Sequence, residues 1–353
     1  MYSQHFAQST LSMPITSDII FDPARFTQES ITDETKKLNE KLEAATRDSP
    51  TWYDVGAERY REMRSHGIGP IPAPQALSGA MAAMLPSRDP ERDIPVRVYR
   101  PDNGEPSKGI FLHLHGGGWV LGSHRDQDKL LQGYANGCQM VGVSVGYRLA
   151  PEDPWPAGVH DCIDVAEQLV DRGPTLCGAK LMVIGGESAG AHLTVLTAFH
   201  LIRSRPQHRL AGLVLNCGMY DLTQTLPRSK TFSRPLVISP EIVHHFIKAF
   251  LPDKGIEDRR TPEISPLYEN LHRLAKAAPG KKLPPALFIC GTEDLLLDDT
   301  ILMSSRWVAT GSETIVKIYP GAPHSFISFP GYGPAQEVAG LIAQFVREKV
   351  AEV

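Results

Sequence analysis

Residues Gly186-Glu187-Ser188-Ala189-Gly190 separate two stretches of different hydrophobic period, and five residues leave little room for anything but a sharp turn. Before them, Leu181-Met182-Val183-Ile184 is a short apolar run of the kind a buried strand shows. After them, Leu193, Leu196, Thr197 and Leu201 fall near helical spacing. A chain that passes from strand to helix through Gly-x-Ser-x-Gly must flank the serine with small residues. It leaves the hydroxyl exposed above the sheet edge. Glycine and serine are abundant, so this pattern alone is weak. A serine hydroxyl is also a poor nucleophile until a base takes its proton. The reading therefore demands a histidine, an orienting carboxylate and an oxyanion hole elsewhere in the chain.

The rest of the sequence supplies a scaffold for such a turn. Residues 94–99 alternate apolar and polar, and short apolar runs recur at 109–115, 140–145, 181–184, 213–215, 286–290 and 315–319. Helical patterns at 126–136, 160–172, 190–204 and 298–309 separate most of them, and 335–350 closes the chain as an amphipathic helix. Continuous apolar strands with helices between them predict an α/β fold, its sheet mostly parallel and covered on both faces. With 353 residues the chain can bury a large core in one such domain or in two.

Two helical regions stand outside this rhythm. The first thirty or so residues are polar and irregular. Ile31, Leu38, Leu42 and Ala45 then recur at helical spacing behind Ser30 or Thr32 as N-cap. Ser49-Pro50 predicts the opening of a second helix with Tyr53, Ala57, Tyr60 and Met63 on one face. Between 222 and 265 no strand is expected, but Ser239-Pro240 opens a strongly apolar helix carrying Ile242, Val243, Phe246, Ile247 and Phe250. These regions predict a cap in two parts, 1–75 and 222–265, over core segments 76–221 and 266–353.

The run at 109–115 leads straight into His115-Gly116-Gly117-Gly118-Trp119. Three consecutive glycines cost backbone entropy and need a reason. A flexible surface loop is one. A phosphate cradle is another, but no Gly-Lys-Ser/Thr follows and the Gly-x-Gly-x-x-Gly spacing is missing. In acyl transfer, backbone N–H groups must come within hydrogen-bond distance of a developing oxyanion, and glycine permits that approach. The N–H groups of Gly117 and Gly118, with that of Ala189 from the elbow, are the candidate oxyanion hole, and His115 reads as a brace for the loop.

Thirteen histidines are present, but His324 alone occupies the loop after the final strand run, where the base is needed. The run at 286–290 leads to four carboxylates, Glu293, Asp294, Asp298 and Asp299. Asp294 is favoured because it lies just past the strand end, and Glu293 and Asp298 stay open as the acid.

Composition excludes other classes. A net charge of −4 without a dense Lys/Arg run speaks against nucleic acid as a partner. No apolar stretch approaches the roughly 18 to 20 residues of a membrane span, so no stable membrane anchor is expected. The first residues lack the basic-then-apolar pattern of a secretory signal. The five cysteines form no Cys-x-x-Cys pair, and no asparagine opens an Asn-x-Ser/Thr acceptor. A reduced, cytoplasmic setting is the expectation, with a homodimer left open.

His115-Gly116-Gly117-Gly118-Trp119, Tyr147-Arg148-Leu149-Ala150-Pro151-Glu152 and Gly186-Glu187-Ser188-Ala189-Gly190 together resemble the hormone-sensitive-lipase-like esterases, the bacterial family IV type of the α/β-hydrolases. The likeness runs from about residue 94 to the C-terminus. The order Ser188, Asp294, His324 is also the order that superfamily uses. Three small departures are visible: Glu187 stands where aspartate is frequent, Ala191 where glycine is common, and Leu295 follows Asp294 where proline is usual.

The resemblance implies an eight-stranded α/β-hydrolase core under a helical cap. It also implies hydrolysis of short- to medium-chain or aryl carboxylic esters through an acyl-enzyme, without metal or organic cofactor. A deacetylase, a formamidase or amidase, or an acyltransferase of a small metabolite would use the same three residues. A non-catalytic receptor, as in the related plant gibberellin receptors, would have lost the base that His324 supplies.

Overall fold

The computed structural model describes residues 20–353; the first part of the irregular N-terminal stretch lies outside them. Three helices lead the chain: α1 (Asp33–Asp48), α2 (Trp52–Val55) and α3 (Ala57–Ser65). Strands and helices then follow as β1 (Met81–Pro86), β2 (Asp93–Tyr99), β3 (Ile110–Leu114), α4 (Asp128–Cys138) and β4 (Val141–Val145). Next come α5 (Ala157–Cys177), β5 (Leu181–Glu187), α6 (Ala189–Ser204) and β6 (Gly212–Asn216). The helices α7 (Arg228–Thr231), α8 (Pro240–Phe250) and α9 (Leu271–Ala277) intervene before β7 (Ala286–Glu293). Then α10 (Leu297–Val308), β8 (Thr314–Pro323) and α11 (Gly333–Ala351) end the chain.

The eight strands form one sheet in the order β1-β2-β4-β3-β5-β6-β7-β8. β2 runs antiparallel to both neighbours, and the rest are parallel. Every residue of β3, β4, β5 and β6 is buried, which is why these strands read as unbroken apolar runs. In β3 alone Ile110, Leu112 and Leu114 have no exposed surface, and each such side chain stabilises the fold by roughly 1.5–3 kcal/mol. β4 lies on one side of β3 and β5 on the other. Progress across the sheet thus reverses at β3, and a crevice opens at the carboxyl ends of β3 and β5, where open α/β sheets place their ligands.

Two details differ from the sequence reading. β1 had no counterpart among the expected runs; it is an edge strand with Met81 and Met84 both exposed, so it shows no apolar alternation. The single helix expected from Ser49-Pro50 is two. Ser49 instead ends α1, and Gly56 at φ +87° breaks the segment between α2 and α3. The other two caps fall where expected: Thr32 accepts from the Thr35 N–H, and Ser239 from the Ile242 N–H at 3.2 Å.

The N-terminal helices and α8 meet above the carboxyl edge of the sheet. Trp52 of α2 stacks on Phe246 of α8 with ring centroids 5.2 Å apart, and Tyr53 stacks on His245 at 3.7 Å. Arg61 of α3 ties this layer to the core. Its guanidinium donates to the carbonyls of Val120 (2.8 Å) and Ala150 (2.9 Å) and forks onto Glu152 (2.8 and 3.0 Å). Among the described residues no helix is long and apolar enough to cross a membrane.

Candidate active site

Ser188 follows β5 directly, at φ +56° and ψ −121°, a conformation that costs of order 1–3 kcal/mol outside glycine. The surroundings hold it there. Its N–H donates to Asn216 O of β6 at 2.9 Å. A Cβ at Gly186 or Gly190 would run into the Leu114 carbonyl of β3, so glycine at both positions lets the elbow lie against that strand. The required small residues of the motif are thus a matter of contact with β3.

The other two groups arrive by sheet register. β7 pairs with β8 through Glu293 and Pro323, so the next residues, Asp294 and His324, emerge side by side. His324 Nδ1 lies 2.9 and 3.0 Å from the two carboxylate oxygens of Asp294, and Nε2 lies 2.9 Å from Ser188 Oγ. Asp294 is wholly buried and takes a further N–H from Leu296 at 2.8 Å. The rival carboxylates point elsewhere. Glu293 sits 3.5 Å from the Arg234 guanidinium, and Asp298 accepts the Arg228 N–H at 2.9 Å.

Burial works against a charged His324, but the facing Asp294 carboxylate, with Cys217 beside it, outweighs that and holds the imidazole pKa well above its ordinary value. A base must be neutral to accept a proton. The acidic limb of a kcat/KM–pH profile should therefore lie above the ~6.5 of an ordinary histidine. A limb at or below that value would contradict the coupling.

His115 cannot compete as a base. Burial pushes it down to about 3, its Nδ1 sits 2.8 Å from Gly116 O, and its ring stacks on Tyr147 at 4.2 Å. The Tyr147 hydroxyl donates to His115 O at 2.7 Å, and Arg148 of the same motif grips Asp161. Among the described residues, the N–H groups of Gly117, Gly118 and Ala189 find no acceptor in the chain. Gly117 stands at φ +117°, where a Cβ would strike the Leu121 carbonyl; one at Gly118 would strike the Phe246 ring.

One residue of this arrangement escaped the sequence reading. Glu187, buried beside the serine, accepts the Gly116 N–H at 2.6 Å and the Gln127 side-chain amide at 2.7 Å through Oε1. Its Oε2 lies 3.0 Å from His113 Nε2. The carboxylate thus ties the glycine loop to the elbow. Only its place in the elbow could have signalled this, because its partners lie 60 to 74 positions away. Glu187→Gln should lower kcat by about 10- to 100-fold with KM little changed, less than the 10²–10³ of deleting an oxyanion donor outright. Steady-state kinetics on a p-nitrophenyl ester checks this; an unchanged kcat would show that the loop holds itself.

Ser188, His324, Gly117 and Gly118 border a cavity of about 480 Å³ that runs under the Trp52–Phe246 stack. Ile238, Ile242 and Ile327 give it apolar walls, and Arg64, Asp126 and Lys129 also line it. Its size suits a small organic molecule.

The sequence family described as alpha/beta hydrolase fold matches residues 111–328. An esterase of Acinetobacter venetianus is 30% identical over 239 residues, covering 67% of this chain and 74% of that protein. The carboxylesterase NlhH of Mycobacterium tuberculosis is 28% identical over 253 residues, 69% of this chain and 74% of that one. Among solved structures, a hyperthermophilic esterase of the archaeon Pyrobaculum calidifontis superposes with a TM-score of 0.76 at 26% identity, over 90% of this chain and 98% of that one. Sheet order, elbow and these likenesses agree with what the three motifs implied, and the chain belongs to the α/β-hydrolase fold family.

Proposed function

We propose that this chain is a serine carboxylesterase acting on short- to medium-chain or aryl esters. The observation that carries the reading is the unbroken line from Ser188 Oγ through His324 to the buried Asp294, at 2.9 Å for each step, beside three N–H groups without acceptors. Ser188 attacks the ester carbonyl while His324 Nε2 takes its proton. Asp294 holds the Nδ1–H tautomer and stabilises the imidazolium that forms. The oxyanion settles against the N–H groups of Gly117, Gly118 and Ala189. His324 then protonates the departing alcohol, and a water repeats the sequence to free the acid.

The helices of 1–75 and 222–265 act as a cap in this reading, and what supports it is the Trp52–Phe246 stack that roofs the cavity. The five free, buried thiols suit the reduced cytoplasmic setting we assign. The test is turnover of p-nitrophenyl acetate, butyrate, octanoate and palmitate by the purified protein. The expected result is turnover with a preference for the shorter esters. Absence of turnover on all four by folded protein would refute a general esterase.

A further inference from the structure

Cys217 takes no step in this chemistry, yet it stands in the same row as the groups that do. β5 pairs with β6 through Glu187 and Asn216, and β7 with β8 through Glu293 and Pro323. Ser188, Cys217, Asp294 and His324 are each the first residue beyond a strand of the one sheet, the β7–β8 register shifting between Gly291 and Glu293. The backbone of Cys217 turns at φ +39°, with its N–H fixed on Ile289 O at 2.7 Å. Its thiol, an imidazole nitrogen of His324 and a carboxylate oxygen of Asp294 lie within 4.8 Å of one another, all three residues buried. Ser325 Oγ is 3.8 Å from the sulfur, and both His324 and Ser325 border the cavity, which gives an ion a route in.

We propose that Cys217, His324 and Asp294 form an inhibitory site for a borderline-soft divalent cation of the zinc and cadmium type. Thiolate, imidazole and carboxylate are the donors such ions take in tetrahedral sites at about 2.0–2.3 Å, so donors this close converge on one ion with small side-chain rotations. Magnesium and calcium, which prefer oxygen throughout, are poorly served by it.

Coordination removes the thiol proton of Cys217, which goes to the buffer, and shifts the single ring proton of neutral His324 from Nδ1 to Nε2, so that a neutral imidazole offers Nδ1 to the ion. The three new bonds replace bonds from the hydrated ion to water, and no electrons are transferred. Asp294 can keep Oδ1 on the Leu296 N–H and offer Oδ2 to the ion. The hydrogen bond that sets the tautomer of His324 is then gone, so an occupied site and turnover exclude each other.

Inhibition as the consequence rests on the catalytic roles proposed above; binding does not. The experiment has two arms for that reason. Zn²⁺ is titrated against ester turnover of wild type, Cys217→Ser and Cys290→Ser, each scaled to its own metal-free rate and checked for reversal by EDTA. Half-inhibition of Cys217→Ser should need at least about ten-fold more Zn²⁺ than wild type, the usual consequence of weakening a ligand set, with Cys290→Ser unshifted.

In parallel, Cd²⁺ is added to each protein and its thiolate charge-transfer absorption in the ultraviolet is followed, with no substrate present. One equivalent should bind to wild type and to Cys290→Ser and none to Cys217→Ser. Equal Zn²⁺ sensitivity of Cys217→Ser and wild type, or a Cd²⁺ band that is missing from wild type or survives in Cys217→Ser, would overturn the site. If the protein turns over no ester at all, the Cd²⁺ arm still decides between binding and no binding.

Discussion

Ser188→Ala should lower kcat on p-nitrophenyl butyrate on the order of 10⁵- to 10⁶-fold while leaving the fold intact. The substitution removes the only atom that becomes the acyl-enzyme bond and the partner of His324 Nε2 at 2.9 Å. It keeps the Cβ already accommodated at φ +56°, and the flanking glycines still clear the Leu114 carbonyl. The melting temperature should therefore hold or rise, since a buried histidine loses little by giving up a hydroxyl across an open cavity. Residual turnover would report what the N–H groups of Gly117, Gly118 and Ala189 achieve without a nucleophile. Rates within about ten-fold of wild type would place the nucleophile elsewhere.

Asp294→Asn should cost about 10⁴-fold in kcat, because an amide NH₂ facing Nδ1 stabilises the wrong tautomer of His324. The shape is preserved, and the Leu296 N–H can still bond to the remaining carbonyl oxygen. The neighbouring carboxylates provide the comparison. Glu293→Gln loses a loose, half-exposed pairing with Arg234 at 3.5 Å, worth at most about 1 kcal/mol, and should keep activity within about three-fold. Asp298→Asn can still accept the Arg228 N–H and should behave similarly. If Glu293→Gln were as damaging as Asp294→Asn, the acid would be misassigned. Removing the Asp294 charge should also bring the acidic limb of the pH profile down to or below that of an ordinary histidine, because burial lowers the His324 pKa and that charge is the main force opposing it.

Legibility in the sequence followed the range of the interaction. Ser188, Asp294 and His324 could be read because each follows a strand, and parallel strands of one sheet bring their carboxyl ends to the same edge. Among the carboxylates from Glu293 onward Asp294 was favoured but Glu293 and Asp298 stayed open, because which of them faces His324 depends on the Glu293–Pro323 pairing. Glu187 looked like a neutral variant of the elbow. Its work lies in contacts with Gly116, Gln127 and His113 that no local period encodes.

The same holds for Arg61, whose partner Glu152 is 91 positions on. β1 was invisible for the opposite reason: at the sheet edge both methionines face solvent, so hydrophobic period carries no signal there. Ser49-Pro50 misled because a serine before proline suits a helix start, yet here Ser49 is extended and closes the preceding helix. The cap regions were visible only as helices without strands, and their stacking of Trp52 on Phe246 joins residues far apart in the chain.

Whether the Ser188 hydroxyl is the activated group can be read from an organophosphate titration. Diethyl p-nitrophenyl phosphate should release one equivalent of p-nitrophenol per chain, abolish ester turnover in step, and leave its diethylphosphoryl group on the peptide that carries Ser188. His324→Ala should react far more slowly. Full ester turnover persisting after saturating reagent, or a phosphoryl group found on a residue other than Ser188, would contradict its being the activated group.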